Sequence, residues 1–251
     1  EVHQAYVDAG ADVIETNTFG ANQLKLVGFG LADQFVRINI AGVRLARQAA
    51  GASGFVAGAI GPLGVAVGDG GSTTVEAAET HFAEQAAALL EGGVDLLLLE
   101  TFGTLGELEA AVRAVRRLSA LPVVAQMATG EDGRSLDGVT PEQCALTLSA
   151  HGATMVGVNC GAGPAATLET VERMAEATDA PLSAQPNAGG PKEGEGRRLV
   201  LSSPEFLASY ARRYVAVGVG LVGGCCGTTP AHIARIKHAV SALPAPRPAS
   251  V

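Results

Sequence analysis

The chain has no tryptophan, and only 4% of its 251 residues are aromatic. Alanine, glycine, valine and leucine fill the space instead. That bias suits packed helices over buried parallel strands and argues against an all-β sandwich. No block of lysine or arginine interrupts a net charge of −8. An acidic surface repels phosphate backbones, so nucleic acid is excluded as a partner. No apolar run approaches the ~18 residues of a membrane span; the longest tight cluster is Leu96 to Leu99. The opening residues EVHQAYVDAG lack the basic start and apolar stretch of a secretion signal. They read as the end of a helix, as if the chain began inside an existing element. Four cysteines, Cys144, Cys160, Cys225 and Cys226, are too sparse for a secreted disulfide scaffold. A cytoplasmic chain with reduced thiols is the simpler expectation, and there clustered cysteines point to metal or catalysis.

What is present is a rhythm. Short runs rich in valine, isoleucine and leucine alternate with alanine-rich helical patterns. The runs are Ala11–Phe19, Phe55–Pro62, Val94–Thr101, Pro122–Ala128, Thr154–Cys160, Pro181–Ala188 and Leu221–Gly227. They are continuous rather than alternating, as strands covered on both faces require. Helical patterns cover about 31–50, 74–92, 104–119, 140–151, 164–178, 203–217 and 229–243. Thr140-Pro141, Ser203-Pro204 and Thr229-Pro230 each place a capping residue before a proline at the first helical position.

This alternation predicts an α/β fold with a parallel sheet and right-handed crossovers. Seven strands after a partial leading helix favour a (β/α)8 TIM barrel over residues 1–243, with its first strand placed before Glu1. An open seven-stranded sheet is the alternative. Residues 244–251, with three prolines, read as a tail or linker, and a further domain of a longer parent chain is compatible with it.

Polar residues gather at the carboxyl ends of the strands, the face on which barrels carry their active sites. Glu15, Asn17, Glu100, Gln126, Asn159, Cys160, Gln185, Asn187, Cys225 and Cys226 all fall there. Ending apolar strands on polar groups is costly unless they pair or do chemistry. Neighbours on a regular strand point to opposite faces, so Cys225 and Cys226 can share a site only where the strand breaks. Gly223, Gly224 and Gly227 allow that break. Three thiolates converging on one ion, with a fourth position open, is the layout of a catalytic zinc site, and soft sulfur suits zinc. Spacing alone leaves open the alternative of three buried, inert cysteines. Cys144 falls within a helical pattern and reads as core. Gly218–Gly223 matches the dinucleotide pattern GxGxxG, but it is placed before a strand and not after one, so it cannot cradle a phosphate. His81, His151, His232 and His238 sit in or beside helical patterns and read as surface or packing residues.

The segments GVNCGAGP (157–164) and GGCCGTTPAHI (223–233) resemble the zinc-binding signatures of the homocysteine S-methyltransferase family. GADVIETNTFGAN (10–22), VDLLLLETF (94–102) and AQPNAG (184–189) resemble other blocks of that family, in order along nearly the whole chain. The resemblance implies a barrel in which Cys160, Cys225 and Cys226 hold Zn2+, and methyl transfer to the thiol of homocysteine to give methionine. It implies no catalytic side chain beyond the metal ligands. Glu100 would bind the substrate's amino group, Asn159 would orient the neighbouring cysteine, and Asn17 would line the pocket with Glu15 and Thr18. The expected methyl donor is methylcobalamin, methylfolate or S-methylmethionine. The family's Asp-Gly-rich first strand has no counterpart here, which keeps a second reading in view: a zinc-binding but inactive barrel serving as an interaction or regulatory module.

Overall fold

A computed structural model describes residues 1–189 and 202–244; residues 245–251 of the expected proline-rich tail lie outside the described residues. Seven strands form one sheet, β1 (Val13–Glu15), β2 (Phe55–Ile60), β3 (Leu96–Phe102), β4 (Val123–Met127), β5 (Met155–Asn159), β6 (Leu182–Gln185) and β7 (Val219–Val222). They stand in sequence order, each parallel to the next. The connecting helices are α3 (Phe35–Ala50), α4 (Val75–Gly92), α5 (Leu105–Leu118), α6 (Pro141–Ala150), α7 (Pro164–Ala177) and α8 (Pro204–Ala216). A leading helix, α1 (Val2–Asp8), precedes β1, and α9 (Pro230–Val240) follows β7. Among the described residues the sheet curls into a (β/α)8 barrel wall that lacks one strand. No helix of the described residues is long and apolar enough to cross a membrane.

Two apolar layers follow from the strand period of two. Outward residues such as Leu97, Leu99, Val123 and Ala125 pack with Val43, Phe82, Leu89, Leu108 and Val115 of the helices. Inward residues Ala57, Leu98 and Val124, with Val13, Leu96, Met155 and Leu221, fill the lower barrel. Above them the interior turns polar at Glu15, Glu100, Gln126, Asn159, Ser183 and Gln185, and this is where the site lies.

The caps read from the sequence form as expected. Thr140 and Gln143 make a reciprocal capping box at α6, and the Ser203 side chain accepts from Phe206 N at α8. Cys144 is buried in α6. The bounds of the last and first strands need correction. The last strand is Val219–Val222 and not Leu221–Gly227, because the ladder to β6 ends with Gly223 N donating to Ala184 O. The GVGLVG stretch therefore contains that strand instead of preceding it. The first strand is only three residues long, since the chain turns at once: Thr18 N donates to Thr16 O at 2.8 Å. A short helix to which no expectation was attached, α2 (Gln23–Gly28), also forms, started by the Asn22 side chain accepting from Lys25 N.

Between β1 and β7 no ladder forms among the described residues. The gap is spanned by α1 and α9: Tyr6 Oη donates to Thr228 O, and Lys237 Nζ pairs with Asp12 at 2.6 Å. A cavity of about 370 Å3 runs along this seam from Val2 and Val240 up to Glu15, Gln185 and Cys225.

Candidate metal centre

Cys160 directly follows β5, and Cys225 and Cys226 sit in the loop after β7. Their sulfurs all lie within 4.8 Å of one another, with Cys160 Sγ 3.7 Å from Cys226 Sγ. Backbone geometry makes this convergence possible. Cys160 adopts φ 56°, a left-handed conformation rare for a side-chain-bearing residue, which turns its thiol off the strand direction. Gly224 lets the β7 loop fold tightly, since a Cβ there would meet Thr228 Cγ2 at 2.3 Å. The loop is then pinned: Cys225 N donates to Pro186 O, Cys226 N to Asn187 Oδ1 and Ala188 N to Cys226 O.

The thiols share one proton deficit. A hydrogen bond from Cys225 pulls the Cys160 thiol down to about 5, helped by the Gly161 amide, Cys226 and Asn187 against the cost of burial. The same contact, with burial and the neighbouring sulfurs, pushes Cys225 up, and burial pushes Cys226 up. Such a cluster holds one negative charge on Cys160 and resists a second without a cation. Sulfurs bound to one tetrahedral zinc at ≈ 2.3 Å stand about 3.8 Å apart. The observed spacing and the soft, three-sulfur donor set therefore fit zinc.

Beside the thiols stands Glu100, near the end of β3. Burial, with the Glu15 carboxylate and the Cys160 sulfur adding to it, pushes its carboxyl up to about 8. Asn159 joins the two halves of the site. Its Nδ2 donates to Thr101 Oγ1 at 2.7 Å and to Glu100 Oε2 at 3.3 Å, and lies 3.8 Å from Cys225 Sγ. The amide thus reaches Cys225 and not its neighbour Cys160. Asn17 stands apart: it is exposed in the turn after β1, with no side-chain hydrogen bond to Glu100, Asn159 or the thiols among the described residues. Two residues had no role assigned from sequence. Asn187 anchors Cys226 and also donates to Gly161 O at 3.4 Å. Thr101, at φ 62°, carries the strand past Glu100. Their signal was position alone, in the PNAG and LLLLET segments.

The sequence profile of the homocysteine S-methyltransferases matches residues 1–240. The chain belongs to the homocysteine S-methyltransferase family. Methionine synthase of Mycobacterium tuberculosis is 34% identical over 257 residues, covering 98% of this chain and 22% of that protein. Methionine synthase of Mycobacterium leprae is 33% identical over 252 residues, covering 96% and 21%. The chain thus spans about a fifth of the length of these relatives. Among solved structures, the metallated form of the homocysteine methyltransferase MmuM from Escherichia coli superposes with a TM-score of 0.79 at 27% identity, over 94% of this chain and 82% of that one. Its oxidized form matches with the same TM-score at 26% identity, over the same shares of both chains. A dihydrodipicolinate synthase from Bacillus anthracis, at 11% identity and a TM-score of 0.53 over 94% and 64%, shares the barrel fold alone.

Proposed function

We propose that this methyltransferase barrel transfers a methyl group to the thiol of homocysteine, giving methionine, with zinc held by Cys160, Cys225 and Cys226. The observation that carries the reading is the convergence of three sulfurs within 4.8 Å of one another at the carboxyl ends of the strands, beside the buried Glu100. A free aliphatic thiol, with a pKa of roughly 8.5, is only a few per cent thiolate at neutral pH. Zinc, when bound, supplies the Lewis acidity that removes a thiol proton near neutrality while leaving the sulfur nucleophilic.

The chain's own residues position the reactants. Glu100 accepts a hydrogen bond from the substrate's ammonium group, and Asn159 fixes Glu100 and Thr101 relative to Cys225. Asn17, exposed in the turn after β1, contributes to substrate binding in this reading. The substrate sulfur forms a bond to the methyl carbon while the carbon–donor bond breaks, its electron pair staying on the donor. The thiol proton passes to solvent. Orientation and water exclusion are then the protein's main task. Methylcobalamin, methylfolate and S-methylmethionine are the donor classes this reading admits. Residues 1–243 form the catalytic domain and 244–251 a linker, to further domains where a parent chain has them. Four free thiols suit a reducing cytoplasm.

The alternative reading is a zinc-holding but inactive module for interaction or regulation, in which the sulfur cluster serves structure alone. One experiment separates the two. Zinc-loaded chain is incubated with homocysteine and each donor in turn, and methionine is followed by mass spectrometry. The enzyme reading expects turnover with at least one donor, abolished by a chelator or by Cys225→Ala and restored to the wild type by zinc. Turnover unaffected by zinc removal would sink the metal role. Zinc retained without turnover from any donor would support the module.

A further inference from the structure

Cys225 and Cys226 occupy the first two positions of a β-turn. Thr228 N donates to Cys225 O at 3.1 Å, and Gly227 at the third position has φ 80°, a conformation that glycine adopts freely. Thr228 Oγ1 donates to the same carbonyl at 2.7 Å. The directions of both sulfurs therefore depend on where the turn ends, at Thr228 and Thr229. Gly223, Gly224 and Gly227 leave this loop little stiffness of its own. Its end has to be held from outside.

His232 holds it. The residue lies in the first turn of α9 and is 4% exposed. Its Nδ1 stands 3.1 Å from Thr229 N and 2.9 Å from Thr229 Oγ1, and its Nε2 stands 3.2 Å from Ser202 O. These partners settle where the ring carries its proton. Ser202 O can only accept, so Nε2 is the donor; Thr229 N can only donate, so Nδ1 offers its lone pair. The neutral imidazole is then a strut with two ends. One end rests on the exit of the cysteine turn, the other on the residue just before Ser203, the cap of α8.

The residue type separates this strut from an ordinary helix cap. At α6 the corresponding position is Gln143, whose Oε1 accepts from Thr140 N at 3.1 Å. Glutamine or glutamate is the usual partner in such a box. Either would cap α9 as well. The imidazole does more, since its far nitrogen reaches a backbone carbonyl 30 positions earlier. Capping gains nothing from that contact, whereas a brace requires it.

We propose that His232 is a positioning residue of the metal centre: held between Ser202 and Thr229 with its proton on Nε2, it braces the turn that aims Cys225 and Cys226. This inference rests on the reading of the three cysteines as zinc ligands, and it adds a residue that touches none of them.

The test compares wild type, His232→Gln and His232→Leu. Zinc affinity is measured by competition with a chromogenic chelator, under conditions where circular dichroism shows all three chains folded. Glutamine keeps the acceptor for Thr229 N and loses the strut; leucine loses both. Zinc affinity should fall about tenfold in His232→Gln and at least as far in His232→Leu, the range seen for groups just outside a metal's ligands. Cobalt-loaded variants should show weakened sulfur-to-metal charge-transfer bands. In urea melts of the metal-free chains, His232→Leu should be the less stable variant, because it alone loses the cap. Wild-type metal affinity and spectrum in His232→Gln would reduce the histidine to a cap and overturn the inference, with the zinc reading intact. Long-range 1H–15N NMR of the wild type checks the ring without any substitution: a proton on Nδ1 in place of Nε2 also overturns it. Failure of the wild type to bind zinc overturns the metal reading itself.

Discussion

Asn159 grips Thr101 from both sides: Thr101 N donates to Asn159 Oδ1 at 2.7 Å, and Asn159 Nδ2 donates to Thr101 Oγ1 at 2.7 Å. This paired contact holds Thr101 at φ 62°, outside the range ordinary residues prefer, at a cost of order 1–3 kcal/mol. It also fixes the carboxamide that touches Glu100 and Cys225, so one buried side chain couples the amine end of the site to the sulfur end.

Asn159→Ala should therefore damage more than one property. Groups just outside a metal's ligands typically alter affinity by about 10–100-fold. We expect zinc affinity, measured by competition with a chromogenic chelator, to fall within that range. Homocysteine KM should rise as well, because Glu100 loses its anchor. Asn159→Asp keeps the acceptor for Thr101 N but places a second negative charge beside Cys225 and Glu100. Affinity for homocysteine falling while zinc affinity stays at wild-type level in both variants would contradict the coupling.

Zinc should also protect the thiols chemically. Cys160 and Cys225 are half-buried and Cys226 is exposed, whereas Cys144 is buried and its thiol is pushed up to about 12 by burial and nearby carboxylates. Iodoacetamide at pH 7.5 should leave Cys144 unmodified in folded protein with or without metal. It should label the three clustered cysteines in chelator-treated chain and spare them after zinc is restored. Peptide mapping by mass spectrometry reads the result. Equal labelling of the cluster in both states would argue against a shared metal.

Much of this arrangement is legible in the sequence, and the illegible parts have physical causes. Strands β2 to β6 announce themselves because burial on both faces demands unbroken apolar runs. Caps such as Thr140-Pro141 are local, so neighbours suffice to read them. The limits of β7 are not local: Gly218 to Gly224 offers both valine and glycine, and pairing with β6 through Ala184 decides where the strand stops. Helix α2 spans six residues, too few for a periodicity to show. The three cysteines could be singled out by residue type and strand-end position. The partner of Asn159 could not, because Cys225 arrives from a loop 66 residues on, and only the closed geometry brings it nearer than Cys160.

The α4–α5 contact offers a test of stability against pH. Glu79 on α4 accepts from Arg113 Nε at 2.8 Å and from Arg117 Nη2 on α5. Hydrogen bonds from Arg117 and then Arg113 hold its carboxyl below the usual carboxylate range. A depressed folded pKa contributes stability that is complete above the unfolded value and is lost as pH falls through the folded one. Glu79→Gln should thus be less stable than wild type at pH 7, by about 1 kcal/mol or less for so solvent-accessible a cluster. The gap should close as pH drops below about 4, where the unfolded carboxyl is protonated. Urea melts at pH 7 and pH 3 measure it; a gap that widens in acid would refute the assignment.

Gly161→Ala isolates the backbone turn that aims Cys160. Gly161 has φ 66°, and a Cβ there would stand 2.2 Å from Thr129 O, a backbone atom that cannot swing aside. The substituted residue must either move the loop after β4 or leave its left-handed conformation. Either response shifts the Gly161 carbonyl that accepts from Asn187 Nδ2, and with it the asparagine whose Oδ1 receives Cys226 N. Misplacement should therefore spread from Cys160 to Cys226 through Asn187. We expect a loss of order 1–3 kcal/mol in stability from the strained backbone, together with weaker metal binding. Cobalt substitution reports the second effect directly, since sulfur-to-metal charge-transfer bands scale with the number of thiolates bound. Gly163→Ala is the control: a Cβ at that residue would meet nothing within 4 Å, and its φ of −80° suits any side chain, so its spectrum should match wild type. A Gly161→Ala spectrum identical to wild type would show that the turn at Cys160 tolerates the side chain and that the thiol is aimed by other contacts.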